Sequence, residues 1–115
     1  MKTKKLIYIA GALRADVPQY IMNVHNMIQW GEKIRRLGFY VYLPCLDLMQ
    51  GLVMGDMYFQ DYFDNSFGMI ERCDAMFVVP GYGKSKGTKK EMLHAKALRI
   101  PIFFELGHLL THFGR

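Results

Sequence analysis

A carboxylate stands close behind a glycine-rich loop in the second half of the chain, a pairing typical of chemistry on small molecules. Gly81, Gly83 and Gly87 lie between a buried apolar run and a predicted helix, and Glu91 stands just inside that helix. Glycines let the backbone turn sharply and leave N–H groups exposed, and the N-terminus of a helix attracts anions. We therefore expect a phosphorylated or sugar-bearing ligand at this loop, beside Glu91.

The residues near this loop include donors suited to a phosphate group. Ser85 can cap the predicted helix, and the Gly87 amide lies in its first turn. Arg14, in the loop after the first predicted strand, carries a forked guanidinium that matches phosphate. Glu91 can attack a carbon that develops positive charge, as carboxylates do in glycoside chemistry. A structural interpretation stays open, because a first-turn glutamate also stabilises the helix dipole.

Apolar patterning predicts the elements that must position these residues. Continuous apolar runs predict strands over 5–10, 39–43, 74–80 and 101–105. Apolar residues at helical spacing predict helices between Asp16 and Gly38, over 57–72 and over 87–98, with a further short helix in the tail from 106. The stretch 45–57 contains two glycines and is expected to be a long loop, of the kind that often closes over a ligand.

This order predicts an α/β fold in a single domain over residues 1–115. Alternating elements with buried strands indicate a doubly wound, Rossmann- or flavodoxin-like parallel sheet of four to five strands with helices on both faces. Right-handed crossovers place the loops after the first and third strands at one edge, where ligands bind in such folds. We expect convergence there of Tyr8, Gly11, Arg14, Asn23, Ser85, Gly87 and Glu91.

Composition excludes several classes of function. A chain of 115 residues with 51% hydrophobic residues is a folded globular domain, and no stretch is long enough to span a membrane. The charge of +5 is mild, and the lysines around the glycine loop fit an anionic ligand or a solvated helix face. Nucleic acid is not expected, because basic residues do not alternate with exposed aromatics. The basic, apolar start fits a first strand better than a signal peptide, so a cytoplasmic protein is expected.

Cysteine and histidine give no sign of a metal site or a disulfide framework. Cys45 and Cys73 are expected to be small buried residues. His108 and His112 share helical spacing but lack a third ligand in the sequence. We therefore expect neither a metal nor a cofactor.

The order and spacing of several short pieces resemble the nucleoside 2-deoxyribosyltransferase superfamily over about residues 5–105. These pieces are Ile7-Tyr8-Ile9-Ala10-Gly11 in the first strand, Asn23 in the first helix, Cys73-Asp74-Ala75 at the third strand, and Ser85-x-Gly87-x-x-x-Glu91. Within that superfamily the chain is most similar to short phage and bacterial members, and it is also similar to the 2′-deoxynucleoside 5′-phosphate N-hydrolases.

The resemblance implies a role for each matched residue. Glu91 falls on the carboxylate that attacks the anomeric C1′ and displaces the base, and Tyr8 falls on the tyrosine that positions it. The transferases carry an aspartate where this chain has Ser85, so a 5′-phosphate on the substrate is implied. Relatives assemble as dimers or larger, which implies a homo-oligomer. Substrate- or phosphate-binding roles are implied for Gly11, Arg14, Asn23, Ser85 and Gly87.

One position departs from the pattern of the active relatives. Their aspartate eight residues before the one in the Cys73-Asp74-Ala75 piece gives a proton to the leaving base, and here that position is Ser66. A serine is not an effective acid near neutral pH, and general acid assistance is worth about 10²–10⁴-fold. Asp64 is the candidate replacement, and the sequence leaves open the alternatives Asp47, Asp56 and Asp61.

Two functions are therefore compatible with the sequence. The first is hydrolysis of the N-glycosidic bond, or base transfer, on a (deoxy)nucleoside 5′-monophosphate through a glycosyl-Glu91 intermediate. The alternative is a nucleotide-binding or sensing module of the same fold without turnover. The matched Tyr8 and Glu91 favour the enzyme, whereas Ser66 favours the binding module.

Overall fold

Strands and helices alternate along the chain, which a computed structural model describes over residues 4–55 and 59–115. The elements in order are β1 Leu6–Ala10, α1 Val17–Arg36, β2 Tyr40–Tyr42, α2 Cys45–Met54, α3 Phe59–Ile70, β3 Ala75–Val78, α4 Lys86–Ala97, β4 Ile102–Phe103 and α5 Leu106–His112. The four strands form one parallel sheet in the order β2-β1-β3-β4. The predicted α/β fold is confirmed.

Helices cover both faces of the sheet, which explains why the strands read as continuous apolar runs. On one face Ile7 belongs to a buried cluster with Met27 of α1 and Leu109 of α5. On the other face Tyr8 belongs to a cluster with Ala95 of α4, to which α3 also contributes. Alternate residues of β1 thus enter opposite cores, and both cores hold the strand in register.

The winding direction of the chain reverses between β1 and β3. The strand β2 lies on one side of β1, and β3 and β4 lie on the other side. Such a reversal leaves a crevice beyond the carboxyl ends of the two central strands. Ala10 is the register partner of Val78, so the loops that follow these residues leave the sheet side by side. The expected meeting of these two loops is confirmed.

The boundaries of α1 follow the predicted local signals. The Asp16 carboxylate caps the helix by accepting a hydrogen bond from the Gln19 backbone N–H at 3.0 Å. Pro18 lies in the first turn, where its missing N–H would have no helical partner. Past the last turn Gly38 has a φ of 101°, a conformation that favours glycine.

The stretch 45–57, expected to be a loop, instead forms the helix α2 over Cys45–Met54. The prediction was wrong because its glycines were taken as loop residues. Gly55 ends the helix with a φ of 75° and donates its N–H to the Gly51 carbonyl. Gly51 lies inside α2, where a Cβ would overlap the Tyr62 hydroxyl of α3. The smallest residue is needed there for close packing of two helices.

Gly51→Ala is expected to lower the free energy of unfolding by about 1–3 kcal/mol, because the added methyl group displaces the Tyr62 ring. In a Tyr62→Ala background the same change should raise stability by roughly 1 kcal/mol, since alanine favours helix over glycine. Urea unfolding of the four chains checks this. Destabilisation of equal size in both backgrounds would show that Tyr62 is not the obstacle.

Candidate functional site

A cleft of about 930 Å³ opens beyond the carboxyl ends of β1 and β3. The loop after β1 forms one wall and the start of α4 forms the opposite wall, while α1, α2 and α3 contribute most of the rest. The structure brings together in this cleft five of the residues singled out in the sequence, namely Gly11, Arg14, Ser85, Gly87 and Glu91.

Glu91 lies on the inner side of α4 and is held by Tyr8. Its side chain is only 8% exposed, and the fully buried Tyr8 hydroxyl donates a hydrogen bond to Glu91 Oε2. Tyr8 lies beneath Glu91 in the core of the sheet rather than on the cleft wall. The arrangement fixes one carboxylate oxygen and leaves Glu91 on the cleft surface.

Burial controls the protonation of both partners. Desolvation by burial is the main cause that raises the pKa of Glu91 from 4.5 to about 7, with a further rise from the charge of Asp47, while the Tyr8 hydrogen bond acts in the opposite direction. Burial, followed by the Glu91 charge, raises the pKa of Tyr8 well above 10.0. Tyr8 therefore stays a donor, and Glu91 changes charge near neutral pH.

Ser85 begins α4 where the helix opens on the cleft. Its Oγ accepts a hydrogen bond from the Thr88 N–H at 3.2 Å and lies 2.8 Å from Thr88 Oγ1. The predicted cap is confirmed. The first turn of α4 lines the cleft through Gly87 and Thr88, so the positive end of the helix dipole faces the space in front of Glu91.

Four exposed cationic side chains surround the cleft. They come from the two facing walls and are Arg14, Lys84, Lys86 and Lys90. Several positively charged side chains around a cleft raise the local concentration of an anionic ligand. The cleft thus combines an anion-attracting rim with a buried carboxyl group.

Asn23 was expected to bind substrate, but it is not among the described residues that line the cleft and lies behind the cleft wall. Its Nδ2 donates a hydrogen bond to the Leu13 carbonyl at 3.2 Å, and its Oδ1 accepts one from Gln19 Nε2 at 2.9 Å. Leu13 lines the cleft. The contact of Asn23 is therefore with the loop that carries Arg14, and it fixes the shape of that loop.

The candidate proton donors fall in different places. Ser66 is buried on the cleft surface and contributes a hydrogen bond to Tyr8, so the departure from the family pattern lies within the site. Asp61 and Asp64 are exposed residues of α3 outside the described cleft lining. Asp56 lies outside the described residues. Asp47 of α2 lines the cleft.

Sequence reasoning missed the aromatic part of the lining. Tyr20 of α1 and Tyr62 and Phe63 of α3 line the cleft. Tyr62 is one helical turn before Ser66, and this spacing places both on one face of α3. That periodicity in the sequence was a usable signal for an aromatic lining.

Across the two described ranges of the chain, no three histidine, cysteine, aspartate or glutamate residues are grouped so that they could hold a metal ion. The thiols of Cys45 and Cys73 are buried and unpaired, as expected for small core residues. No helix within 4–55 or 59–115 combines the length and apolar character that a bilayer crossing requires.

The chain matches the model of a known protein family. The family model described as DUF4406, a domain of unknown function, matches residues 5–104. No curated protein matches the chain. The matched range covers all four strands and both walls of the cleft. The chain belongs to the DUF4406 family.

Proposed function

We propose that this protein breaks the N-glycosidic bond of a (deoxy)nucleoside 5′-monophosphate by nucleophilic attack of Glu91. A bond forms between a Glu91 carboxylate oxygen and C1′ while the bond from C1′ to the base nitrogen breaks, and the base leaves with the electron pair and takes up a proton. Water, or a second base in a transfer reaction, then releases the sugar phosphate from Glu91. The observation that carries the proposal is the Tyr8-held Glu91 within a basic cleft.

The buried Glu91 carboxyl suits this role. A buried carboxylate has lost most of the hydration that lowers its reactivity as a nucleophile, and the Tyr8 hydrogen bond fixes its orientation. Its pKa of about 7 leaves a substantial fraction ionised near neutral pH. The order of motifs shared with the nucleoside 2-deoxyribosyltransferase superfamily supports the same class of substrate.

The two ends of a nucleotide find different surroundings in the cleft. The N-terminal turn of α4 and the four rim cations suit the 5′-phosphate. The rings of Tyr20, Tyr62 and Phe63 offer flat surfaces on which a base can stack.

The same proposal includes a cytoplasmic protein that acts as a homodimer or larger assembly. Exposed Leu93 and Phe104 beside the edge strand β4 are a surface that assembly would cover.

Incubation with matched nucleosides and nucleoside 5′-monophosphates, with free base measured by chromatography, tests the proposal. We expect base release from the monophosphates at least about tenfold faster than from the nucleosides, since each charge-assisted phosphate contact contributes about 1.5–3 kcal/mol. Equal rates for both classes would contradict the phosphate assignment. Absence of release from every substrate would contradict the glycosidase itself.

Gly87→Ala is expected to weaken nucleotide binding without harming the fold. An added Cβ would lie 3.5 Å from Phe63 Cζ, an ordinary contact, but it would narrow the approach to the helix N-terminus. We expect an increase in KM of roughly tenfold and no loss of thermal stability, since alanine favours helix. Gly107→Ala in α5, where the Cβ would enter open space, is the matched control. An unchanged KM in both variants would remove Gly87 from the phosphate site.

A nucleotide-binding module without turnover is the second candidate, and Ser66 on the cleft surface favours it. Nucleoside monophosphates would then raise the melting temperature, since a ligand that binds the folded state stabilises it, while no base is released. Stabilisation accompanied by base release would exclude this candidate.

A further inference from the structure

A second tyrosine–carboxylate pair lies beside the pair formed by Tyr8 and Glu91. The Tyr42 hydroxyl donates to both carboxylate oxygens of Asp47, at 2.8 and 2.9 Å. Tyr8 of β1 and Tyr42 of β2 are register partners, and their rings stack with centroids 5.6 Å apart and planes 23° apart. Two adjacent strands thus each present a phenol that orients a carboxyl group of the cleft.

The Asp47 carboxylate is held from a second direction by α3. Asn65 Nδ2 donates to Asp47 Oδ2 and to the Tyr42 hydroxyl, both at 3.1 Å. Asp47 lines the cleft together with Glu91, and its charge contributes to the raised pKa of Glu91. A polar side chain held by neighbours from β2 and α3 has a fixed position, which proton transfer to a bound substrate requires.

Among the described residues of the cleft wall, Asp47 is the one carboxyl group besides Glu91, and no histidine lines the wall. The hydroxyl of Ser66 is a poor acid near neutral pH, and the lysines stand exposed at the rim. Glu91 bonds to the sugar as the nucleophile, so it cannot also give a proton to the leaving base. Another residue of the cleft wall has to supply that proton. Asp47 fits that need.

We propose that Asp47 is the general acid and base of the reaction, an inference that rests on the proposed function. The reaction starts from the form of the protein in which Glu91 is ionised and Asp47 holds a proton. In the first step the Asp47 carboxyl gives that proton to the base nitrogen as the bond from C1′ to that nitrogen breaks and Glu91 bonds to C1′. In the second step Asp47 takes a proton from water while the water oxygen bonds to C1′. The bond from C1′ to Glu91 breaks with its electron pair returning to Glu91, so Asp47 ends protonated again.

Asp47→Asn, compared with Asp64→Asn as the matched control on an exposed carboxyl, tests this proposal. The substrates are 2′-deoxyguanosine 5′-monophosphate and its 7-methylated form, whose base departs neutral without receiving a proton. For the unmethylated substrate we expect Asp47→Asn to slow base release about 10²–10⁴-fold. For the methylated substrate it should release one base per chain at the wild-type rate and then stall. Azide, which attacks C1′ without giving up a proton, should restore turnover.

Other outcomes would overturn the assignment. Equal slowing of the first turnover with both substrates, without azide rescue, would give Asp47 a merely structural role. Loss of activity in Asp64→Asn, with Asp47→Asn unaffected, would move the proton donor to α3. A wild-type chain that releases base from neither substrate would refute the glycosidase, and with it any proton transfer from Asp47. A failure of the proposed function is thus distinct from a failure of the Asp47 assignment in an active enzyme.

Discussion

Glu91→Gln is expected to be more stable than the wild-type chain at pH 8, by about 3 kcal/mol, and to match it near pH 4. Burial, the main cause, raises the pKa of Glu91 from 4.5 in the unfolded chain to about 7 in the folded one. The folded state therefore binds the proton more tightly. The stabilisation this gives is complete below about pH 4.5 and is lost as the pH rises towards 7.

Glutamine keeps a polar group that accepts the Tyr8 hydrogen bond but has no charge to bury. Urea unfolding of both chains between pH 4 and pH 8 measures the difference, in which contributions common to both chains cancel. Glu105→Gln, at an exposed site, controls for removal of a carboxylate and should show no comparable rise. A stability gap that does not change with pH, or a wild-type chain more stable at pH 8, would contradict the placement of Glu91 in a desolvated site.

The same substitution is expected to lower the rate of base release by at least about 10³-fold, because an amide does not replace a carboxylate as a nucleophile. With the 7-methylated deoxynucleotide, whose base needs no proton from Asp47, the wild-type rate should rise with pH through about 7, as Glu91 loses its proton. Initial rates by chromatography from pH 5 to pH 9 measure both effects. Thermal stabilisation of Glu91→Gln by the nucleotide shows that the cleft still binds.

A Glu91→Gln rate within tenfold of the wild-type rate would show that another group attacks the sugar. With that methylated substrate, a wild-type rate that falls as the pH rises through 7 would assign to Glu91 the role of an acid. We therefore expect Glu91→Gln to be more stable than the wild-type chain at pH 8 and to release almost no base. Such a trade-off between stability and activity is typical of a charged group that is buried for function.

Much of the architecture could be predicted from local signals. The buried runs at β1 and β3 are continuous because helices cover both faces of the sheet, and Asp16 marks the start of α1 as its cap. Parallel topology then forces the loops after β1 and β3 to one edge. That single consequence was enough to bring Arg14 and Glu91 into one cleft.

The remaining features depend on contacts between distant elements. In the sequence, Gly51 is indistinguishable from a loop glycine. Only the folded structure shows that Tyr62 of another helix packs against it and leaves no room for a Cβ. Asn23 was expected among substrate-binding residues, but its partner Leu13 is apparent only once the loop has folded back on α1. Asp47 was one of several acidic residues in the sequence, and only the contacts with Tyr42 and Asn65 distinguish it. Tertiary hydrogen bonds of this kind leave no periodic trace in a sequence.

Mass spectrometry of the protein, quenched in acid during turnover of the 7-methylated deoxynucleotide, tests most directly whether Glu91 bonds to the sugar. We predict a mass increase equal to one deoxyribose 5-phosphate unit, located on the peptide that contains Glu91 and absent in Glu91→Gln. The adduct should accumulate further in Asp47→Asn. Base release that proceeds at full rate in the wild-type chain and in Glu91→Gln alike, with no adduct on that peptide, would contradict a nucleophilic Glu91.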